Sequence, residues 1–244
     1  MIKPQHTPVS SLLNRLGLAL GLSLAVVACG NGEADSSNTE PASTGAESAS
    51  ERPQIESPEG APEIALGDMA MGPADAPVTV IEYASLTCHH CASFHESTFK
   101  RLKPAYIDTG KIRFILRDFP LDRLAYEATV LARCAGEDQY FDVVDHLFEN
   151  QENWLPRTNG AGEISRVRGL FQDYGEDFGV SKEAYEACMA NKALEDRLLA
   201  RIEEGRNRYD VSATPTIVIN GEKYEGARAF TAISKHINGL LPNP

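Results

Sequence analysis

The chain has 244 residues, of which 42% are hydrophobic and 24% are charged, and its formal net charge at pH 7 is −12. A hydrophobic fraction of this size suits a globular protein with one or two cores. The acidic balance argues against nucleic-acid binding, which requires a basic face on the protein, and it identifies no other partner.

The N-terminal residues are typical of an exported protein. Two basic side chains precede an apolar run at residues 16–28, which is short for a membrane span and of the length found in secretory signals. Cys29 follows directly after Val-Val-Ala, an order that resembles the lipobox at which bacterial lipoproteins are cleaved and acylated. We predict a lipoprotein signal peptide at residues 1–28 and a periplasmic protein held to a bacterial membrane by a lipid on Cys29. The alternative is an ordinary signal peptide followed by a coincidental cysteine.

Residues 29–62 begin with this cysteine and are otherwise rich in Ser, Ala, Glu, Gly and Pro. Ile55 is the one aliphatic side chain larger than alanine, so the segment cannot bury enough apolar surface to offset its ordering entropy. We predict a disordered acidic linker. Because thiols are not kept reduced outside the cytoplasm, the four cysteines that follow it are expected to form disulfide bonds.

The pattern from residue 63 onward is that of a folded protein with both strands and helices. Residues 78–83 and 112–116 are short, mostly apolar, β-prone runs, and a helical stretch lies between them. This order predicts a βαβ unit with parallel strands and a right-handed crossover. We assign the unit to residues 63–121.

Residues 122–210 are predicted to be helical throughout. Apolar side chains recur there at helical spacing and are expected to form a core, as do Phe141, Val144, Leu147 and Phe148. Strand character returns on either side of Asn220-Gly221, a dipeptide that predicts a hairpin, and a last helix is expected near residues 231–240. The chain is therefore predicted to be α/β, with an all-helical domain inserted between the βαβ half and a ββα half at residues 211–244.

The motif Cys88-His-His-Cys91 is the predicted centre of the chemistry. If Cys88 begins a helix, free backbone N–H groups and the positive end of the helix dipole lie near its sulfur and favour the thiolate, which attacks disulfides. Cys91, one turn further on, would be less exposed and would resolve the mixed disulfide. A protonated His89 or His90 would add a cation near Cys88, which favours an oxidant.

Other interpretations of this motif are an inert structural disulfide and half of a zinc site. The sequence contains no second Cys-x-x-Cys or His-x-x-x-His, and four consecutive residues cannot surround one metal tetrahedrally. We therefore expect neither a metal nor a cofactor. A metal carrier that shares the motif across a dimer, and a disulfide isomerase or reductase, remain alternatives to an oxidase.

Three segments in this order resemble the DsbA family of disulfide oxidoreductases, which belongs to the thioredoxin superfamily. They are YASLTCHHC at residues 83–91, KIRFILRDFP at residues 111–120 and ATPTIVING at residues 213–221. The resemblance covers about residues 65–242 and implies a thioredoxin fold with a helical insertion. It also implies that a disulfide is passed to reduced exported polypeptides and regenerated by a DsbB-like membrane oxidase. We expect the enzyme to be a monomer.

The resemblance also implies roles for residues outside the motif. Thr214 and Pro215 correspond to a cis peptide that faces the dithiol and binds substrate backbone. Glu82 corresponds to a buried acid that shuttles protons for Cys91, the alternative being an exposed strand glutamate. The chain departs from the family in having His89 where proline is usual, which should loosen the turn slightly. We expect this histidine to make the disulfide more oxidising at acidic pH.

Cys134 and Cys188 both lie in predicted helices, and some DsbA relatives carry an extra pair in this region. Neither cysteine has a Cys-x-x-Cys neighbour or a basic cluster beside it, so we predict a structural disulfide. Closing the long loop between them would stabilise the fold by about 4 kcal/mol. Two free buried thiols and a second redox pair remain alternatives.

Overall fold

A computed structural model describes residue 64 and residues 66–242 of the chain. The predicted signal peptide, the predicted lipid site at Cys29 and the predicted linker lie outside the described residues. No helix in the described part combines the length with the hydropathy that a bilayer crossing demands.

A five-stranded mixed sheet forms the centre of the described part. Its strands are β1 (Met69–Met71), β2 (Val78–Ala84), β3 (Ile112–Asp118), β4 (Thr216–Ile219) and β5 (Glu222–Lys223). They lie in the order β1-β3-β2-β4-β5, with β2 and β3 parallel and the other neighbours antiparallel. The predicted parallel βαβ unit is confirmed, and β2 occupies the middle of the sheet.

The two ends of the sheet differ in how well the sequence predicts them. The hairpin is confirmed: Asn220 and Gly221 have φ angles of 48° and 84°, which suit the tight turn that joins β4 to β5. The pattern does not predict β1, because three residues are too few to show an alternation. β1 is defined by its pairing with β3.

The connection from β2 to β3 is one irregular helix. It consists of α1 (His89–Phe94), a π-helical turn (His95–Phe99), α2 (Lys100–Leu102) and a second π-helical turn (Lys103–Ile107). Pro104 lies in the first turn of the last segment and has no N–H for a regular ladder, which is a common cause of such irregularity. The side chains of Phe94, Phe99 and Leu102 are buried in the main core.

The helical block follows β3. Its helices are α3 (Arg123–Cys134), α4 (Glu137–Glu149), α5 (Gln151–Trp154), α6 (Ala161–Asp177), α7 (Lys182–Met189) and α8 (Lys192–Tyr209). Asp122, Ser181 and Asn191 cap α3, α7 and α8, each accepting a hydrogen bond from a backbone N–H three residues further on. The four apolar side chains predicted to form a core on α4 are all buried.

The last helix, α9 (Phe230–Leu240), follows the β4–β5 hairpin and buries Ile233 and Ile237 in the main core. The element order is thus βαβ, a block of helices, then ββα. This order confirms the predicted α/β class with a helical insertion.

Alternation along β2 decides which face of the sheet carries the site. Val80 and Ala84 belong to the main core, which includes α1, whereas Ile81 and Tyr83 belong to a smaller core. Successive side chains of a strand point to opposite faces, so Glu82 points to the same face as Val80 and Ala84. The face that supports the helix of the Cys-x-x-Cys motif therefore contains a buried acid.

Candidate active site

Cys88 lies where the chain leaves β2 and starts α1. Its backbone is extended, with φ −82° and ψ 114°, and it is the N-cap of the helix. Its Sγ accepts a hydrogen bond from the Cys91 N–H at 3.3 Å and lies 3.3 Å from the carbonyl oxygen of Thr214. Cys88 and Cys91 are both free thiols here, so the geometry is that of the dithiol form.

The surroundings of Cys88 stabilise its thiolate. A hydrogen bond from the Cys91 thiol is the largest cause that lowers the pKa of Cys88 from 9.0 to about 5, and the backbone N–H groups of Cys91 and His90 add to it. Partial burial acts in the opposite direction and is outweighed. At pH 7 a thiol with a pKa of about 5 is ionised by roughly 100 to 1. The half-buried Cys88 is therefore both accessible and activated.

Cys91 has the opposite character. Its side chain is 0% exposed, and burial raises its pKa far above the ordinary value of a thiol. The hydrogen bond it donates to Cys88 and the charge of Glu82 raise the pKa further. Two thiols three residues apart thus differ strongly in acidity, because Cys88 accepts hydrogen bonds at a half-buried helix cap and Cys91 is fully buried.

Glu82 is fully buried beneath the dithiol. Its neighbours across the sheet are Leu116 on β3 and Ile217 on β4, both aliphatic. Neither carboxylate oxygen has a hydrogen-bond partner among the described residues. Burial, with a smaller contribution from the charge of Cys88, raises the pKa of Glu82 to about 8. The structure excludes the alternative of an exposed strand glutamate, and the raised pKa keeps the Glu82 carboxyl mostly protonated at pH 7.

The peptide bond between Thr214 and Pro215 is cis, and the loop that contains it faces Cys88. Pro215 lines a groove of about 400 Å³ along α1, together with His90, Phe94 and Arg228. The Thr214 hydroxyl is buried without a hydrogen-bond partner among the described residues. The loop thus contacts the reactive sulfur at Thr214 and lines a groove beside α1 at Pro215.

The two histidines of the motif are exposed and line different concavities. His90 lines the groove beside Pro215, whereas His89 lines a cavity of about 580 Å³ between α1 and the segment that joins α4 to α5. Carboxylates of Glu96, Glu149 and Glu152 line that cavity as well.

Sequence reasoning missed several residues next to the site. His95 is buried, its Nε2 lies 2.6 Å from Asp145 Oδ1 on α4, and its ring stacks on Phe99 at 4.6 Å. Asp122 and Gln151 reach the turn before Cys88 from the helical insertion. The position of Asp122 ahead of a helix indicates a cap, but no pattern in the sequence indicates what the other side chains contact.

The second cysteine pair lies within the helical block. Cys134 and Cys188 form a disulfide with an S–S distance of 2.01 Å, which joins α3 to α7. Both are buried, at 4% and 0% exposure. Across residue 64 and residues 66–242, no group of three or more His, Cys, Asp or Glu side chains is arranged to hold a metal ion.

Comparisons with known proteins agree with this geometry. Residues 65–239 match the protein family described as "Thioredoxin". A Rickettsia conorii protein whose name proposes protein-disulfide oxidoreductase activity is 30% identical over 207 residues, covering 85% of this chain and 72% of the relative. The chain spans 64% of the length of a similarly named Rickettsia bellii protein, to which it is 32% identical.

Two solved structures have the same fold. Alpha-DsbA1 of Wolbachia pipientis has a TM-score of 0.64 and 29% sequence identity, covering 71% of this chain and 90% of that chain. A protein-disulfide isomerase of Novosphingobium aromaticivorans has a TM-score of 0.64 at 24% identity, covering 72% and 98%, and shows the fold alone. The chain belongs to the thioredoxin family, among its DsbA-like thiol:disulfide oxidoreductases.

Proposed function

We propose that the chain is a dithiol oxidase that passes a Cys88–Cys91 disulfide to reduced exported polypeptides. The observation that carries this proposal is the contrast between the two thiols. The pKa of Cys88 is lowered to about 5 at an accessible position, while burial raises the pKa of Cys91. Stabilising the Cys88 thiolate stabilises the dithiol form over the disulfide, so the disulfide is readily given up.

In the first step a substrate thiolate attacks Cys88 Sγ, because Cys91 is buried. A bond forms between the two sulfurs, the Cys88–Cys91 bond breaks, and its electron pair goes to the Cys91 sulfur. A thiol with so high a pKa must take up a proton, and Glu82, with a pKa of about 8, holds one at neutral pH in the same buried region. We assign Glu82 the role of proton donor to Cys91.

In the second step another substrate thiolate attacks the substrate sulfur of the mixed disulfide. Cys88 leaves as a thiolate, which its low pKa favours. The substrate has lost two electrons, and these remain on Cys88 and Cys91. A DsbB-like membrane oxidase is the proposed acceptor that removes them and restores the disulfide. We assign Thr214 and Pro215 to holding the substrate backbone, since they face Cys88 along the groove.

The proposed location follows from the N-terminal pattern. We propose that residues 1–28 are a signal peptide, that Cys29 is acylated, and that residues 29–62 link the lipid to an enzyme working as a monomer in the periplasm. An oxidase requires a compartment where thiols are not kept reduced. Fractionation tests the anchor: the wild type is expected with the membranes and Cys29→Ala in the soluble periplasmic fraction. Equal distribution of the two would argue for an ordinary signal peptide.

We also propose that the folded part divides into a βαβ half at residues 63–121, a helical insertion at residues 122–210 and a ββα half at residues 211–244.

The reduction potential of the Cys88–Cys91 couple tests the direction of the reaction. Equilibration with glutathione buffers is expected to give a potential near that of DsbA, about −120 mV, and oxidation of a reduced, unfolded model polypeptide. A potential near about −270 mV, the value of thioredoxin, would identify a reductase instead. Metal content after purification tests the carrier alternative, which requires a stoichiometric metal.

A further inference from the structure

The turn that leads into Cys88 is held from the helical insertion by two hydrogen bonds. Gln151, the first residue of α5, donates from Nε2 to the carbonyl oxygen of Leu86 at 2.7 Å. Asp122, the residue before α3, accepts a hydrogen bond from the Thr87 hydroxyl at 2.7 Å through Oδ2. The insertion therefore contacts each of the two residues that directly precede the reactive cysteine.

Both side chains are themselves fixed in place. Gln151 is 2% exposed, and α5 is anchored because the indole N–H of the buried Trp154 donates to the carbonyl oxygen of Leu147 at 2.7 Å. Asp122 uses its other oxygen, Oδ1, to accept from the Ala125 N–H at 2.8 Å, which makes it the cap of α3. The two hydrogen bonds thus connect the turn to well-packed helices.

Other contacts also act on this turn: the Thr214 carbonyl oxygen lies 3.3 Å from Cys88 Sγ, and the Ser85 and Thr87 hydroxyls lie 3.2 Å apart. The Cys88 N–H donates to the carbonyl oxygen of Ser85 at 3.0 Å, which closes the turn. The direction of Cys88 Sγ, and with it the 3.3 Å hydrogen bond from the Cys91 N–H, follows from the backbone that the insertion holds. A small displacement of that backbone would lengthen or bend this hydrogen bond.

The two redox forms depend on this support to different degrees. In the disulfide form a covalent bond to Cys91 holds the Cys88 sulfur, at the roughly 2 Å of any disulfide. In the dithiol form only hydrogen bonds and the backbone keep the Cys88 thiolate aligned with its donors. Loosening the turn should therefore destabilise the dithiol form more than the disulfide form.

We propose that Gln151, assisted by Asp122, is a positioning residue of the redox site: by holding residues 86 and 87 it makes the Cys88–Cys91 disulfide easier to give up. This inference rests on the proposed redox role of the two cysteines, but it does not depend on whether the protein acts as oxidase or reductase. Gln151 acts through the backbone and touches neither sulfur.

The test replaces Gln151 with methionine, which has a similar length and no donor. The glutathione equilibrium is expected to shift toward the disulfide by about 10-fold, the order expected for loss of a buried hydrogen bond that leaves the Leu86 carbonyl unpaired. The pH midpoint of Cys88 alkylation is expected to rise in the same variant. Thr87→Val removes the contact with Asp122 from the loop side, and with it the 3.2 Å contact between the Thr87 and Ser85 hydroxyls. It is expected to give a smaller shift in the same direction, about 3-fold, because the contact with Asp122 is exposed to solvent. Ser85→Ala removes the contact between the two hydroxyls and leaves the contact with Asp122, and it is expected to give a smaller shift than Thr87→Val.

Tyr185→Phe is the matched control. The Tyr185 hydroxyl donates to the carbonyl oxygen of Glu127 at 3.1 Å, a buried hydrogen bond inside the insertion that does not touch the turn. This variant should lose stability and keep the wild-type glutathione equilibrium and alkylation midpoint. If Gln151→Met moves these two readouts no more than Tyr185→Phe does, the positioning role is refuted.

If Gln151→Met does not fold, Thr87→Val decides the question, and an unchanged equilibrium in that variant overturns the proposal. A failure of the proposed function is distinguishable, because it would appear in the potential of the wild type rather than in the difference between variants.

Discussion

The two cysteine pairs of this protein occupy opposite ends of helices. Cys88 caps the N-terminus of α1, where backbone N–H groups point at its sulfur. Cys134 is the last residue of α3, and Cys188 is the next-to-last residue of α7. Helix C-termini present carbonyl oxygens and the negative end of the dipole, which disfavour a thiolate. The position of Cys88 therefore stabilises a thiolate, whereas the positions of Cys134 and Cys188 destabilise one.

Burial reinforces this difference. Both members of the second pair are buried, so no substrate thiolate can reach either sulfur, whereas Cys88 is accessible beside a groove. Position on the helix and exposure together separate a disulfide that is exchanged from one that stabilises the fold.

Removing one pair at a time tests most directly whether the two pairs differ in reactivity. Cys88→Ser should reduce disulfide exchange with a model polypeptide to the uncatalysed background, since the attacked sulfur is absent. Cys134→Ser combined with Cys188→Ser should retain exchange at close to the wild-type rate. Exchange that persists in Cys88→Ser, or disappears in the double variant, would contradict the assignment of the chemistry to Cys88 and Cys91.

The second prediction concerns stability. The Cys134–Cys188 bond closes a loop of 54 residues, for which the chain-entropy relation gives a stabilisation of about 4 kcal/mol. Urea unfolding of the double serine variant should therefore show a loss of about that size in the free energy of unfolding. A loss below about 1 kcal/mol would mean that the helical packing alone holds α3 to α7.

The third prediction uses the buried acid beneath the reactive pair. The pKa of Glu82 is raised from 4.5 to about 8 in the folded dithiol form. Between these two pH values the Glu82 carboxyl is therefore neutral in the folded chain and ionised in the unfolded chain. This difference costs the folded form stability progressively as the pH rises from about 4.5 to about 8. Glu82→Gln should therefore gain stability over the wild type, by little at pH 5 and by on the order of a few kcal/mol at pH 8.

Urea unfolding of the reduced proteins at both pH values measures this effect. Glu222→Gln, an exposed glutamate on β5, serves as the control and should show no such trend. A pH-independent difference between Glu82→Gln and the wild type would contradict the raised pKa.

The smallest expected effect comes from the residue between the cysteines. A protonated imidazole at His89 would add positive charge in the first turn of α1. His89→Pro should therefore raise the pH midpoint of Cys88 alkylation, expected near 5 in the wild type, by about half a unit. Comparison with His89→Ala separates the loss of charge from the stiffness of proline. An equal or lower midpoint in the proline variant would show that this histidine does not tune the pair.

Local patterns account for what the sequence predicted well. The βαβ unit, the Asn220-Gly221 hairpin and the buried stripe on α4 each depend on residues within one element, where periodicity and turn chemistry act directly. β1 was missed because a strand of three residues is too short to show an alternation and is recognised only by its pairing with β3. The irregular course between β2 and β3 was missed because π-helical turns carry no distinctive spacing.

The α/β class, the helical insertion and the Cys-x-x-Cys motif at the start of a helix can be predicted from the amino-acid sequence, because they follow from short-range periodicity and spacing. The acidity of each thiol and the contacts that support the site depend on the tertiary structure. The loop of the cis Thr214-Pro215 peptide contacts Cys88 from 126 residues away, and Gln151 supports the turn at Leu86 from 65 residues away. Glu82 owes its raised pKa to aliphatic neighbours on two other strands. Acidity depends on desolvation and on donors within a few ångströms, and packing brings these together from distant parts of the chain.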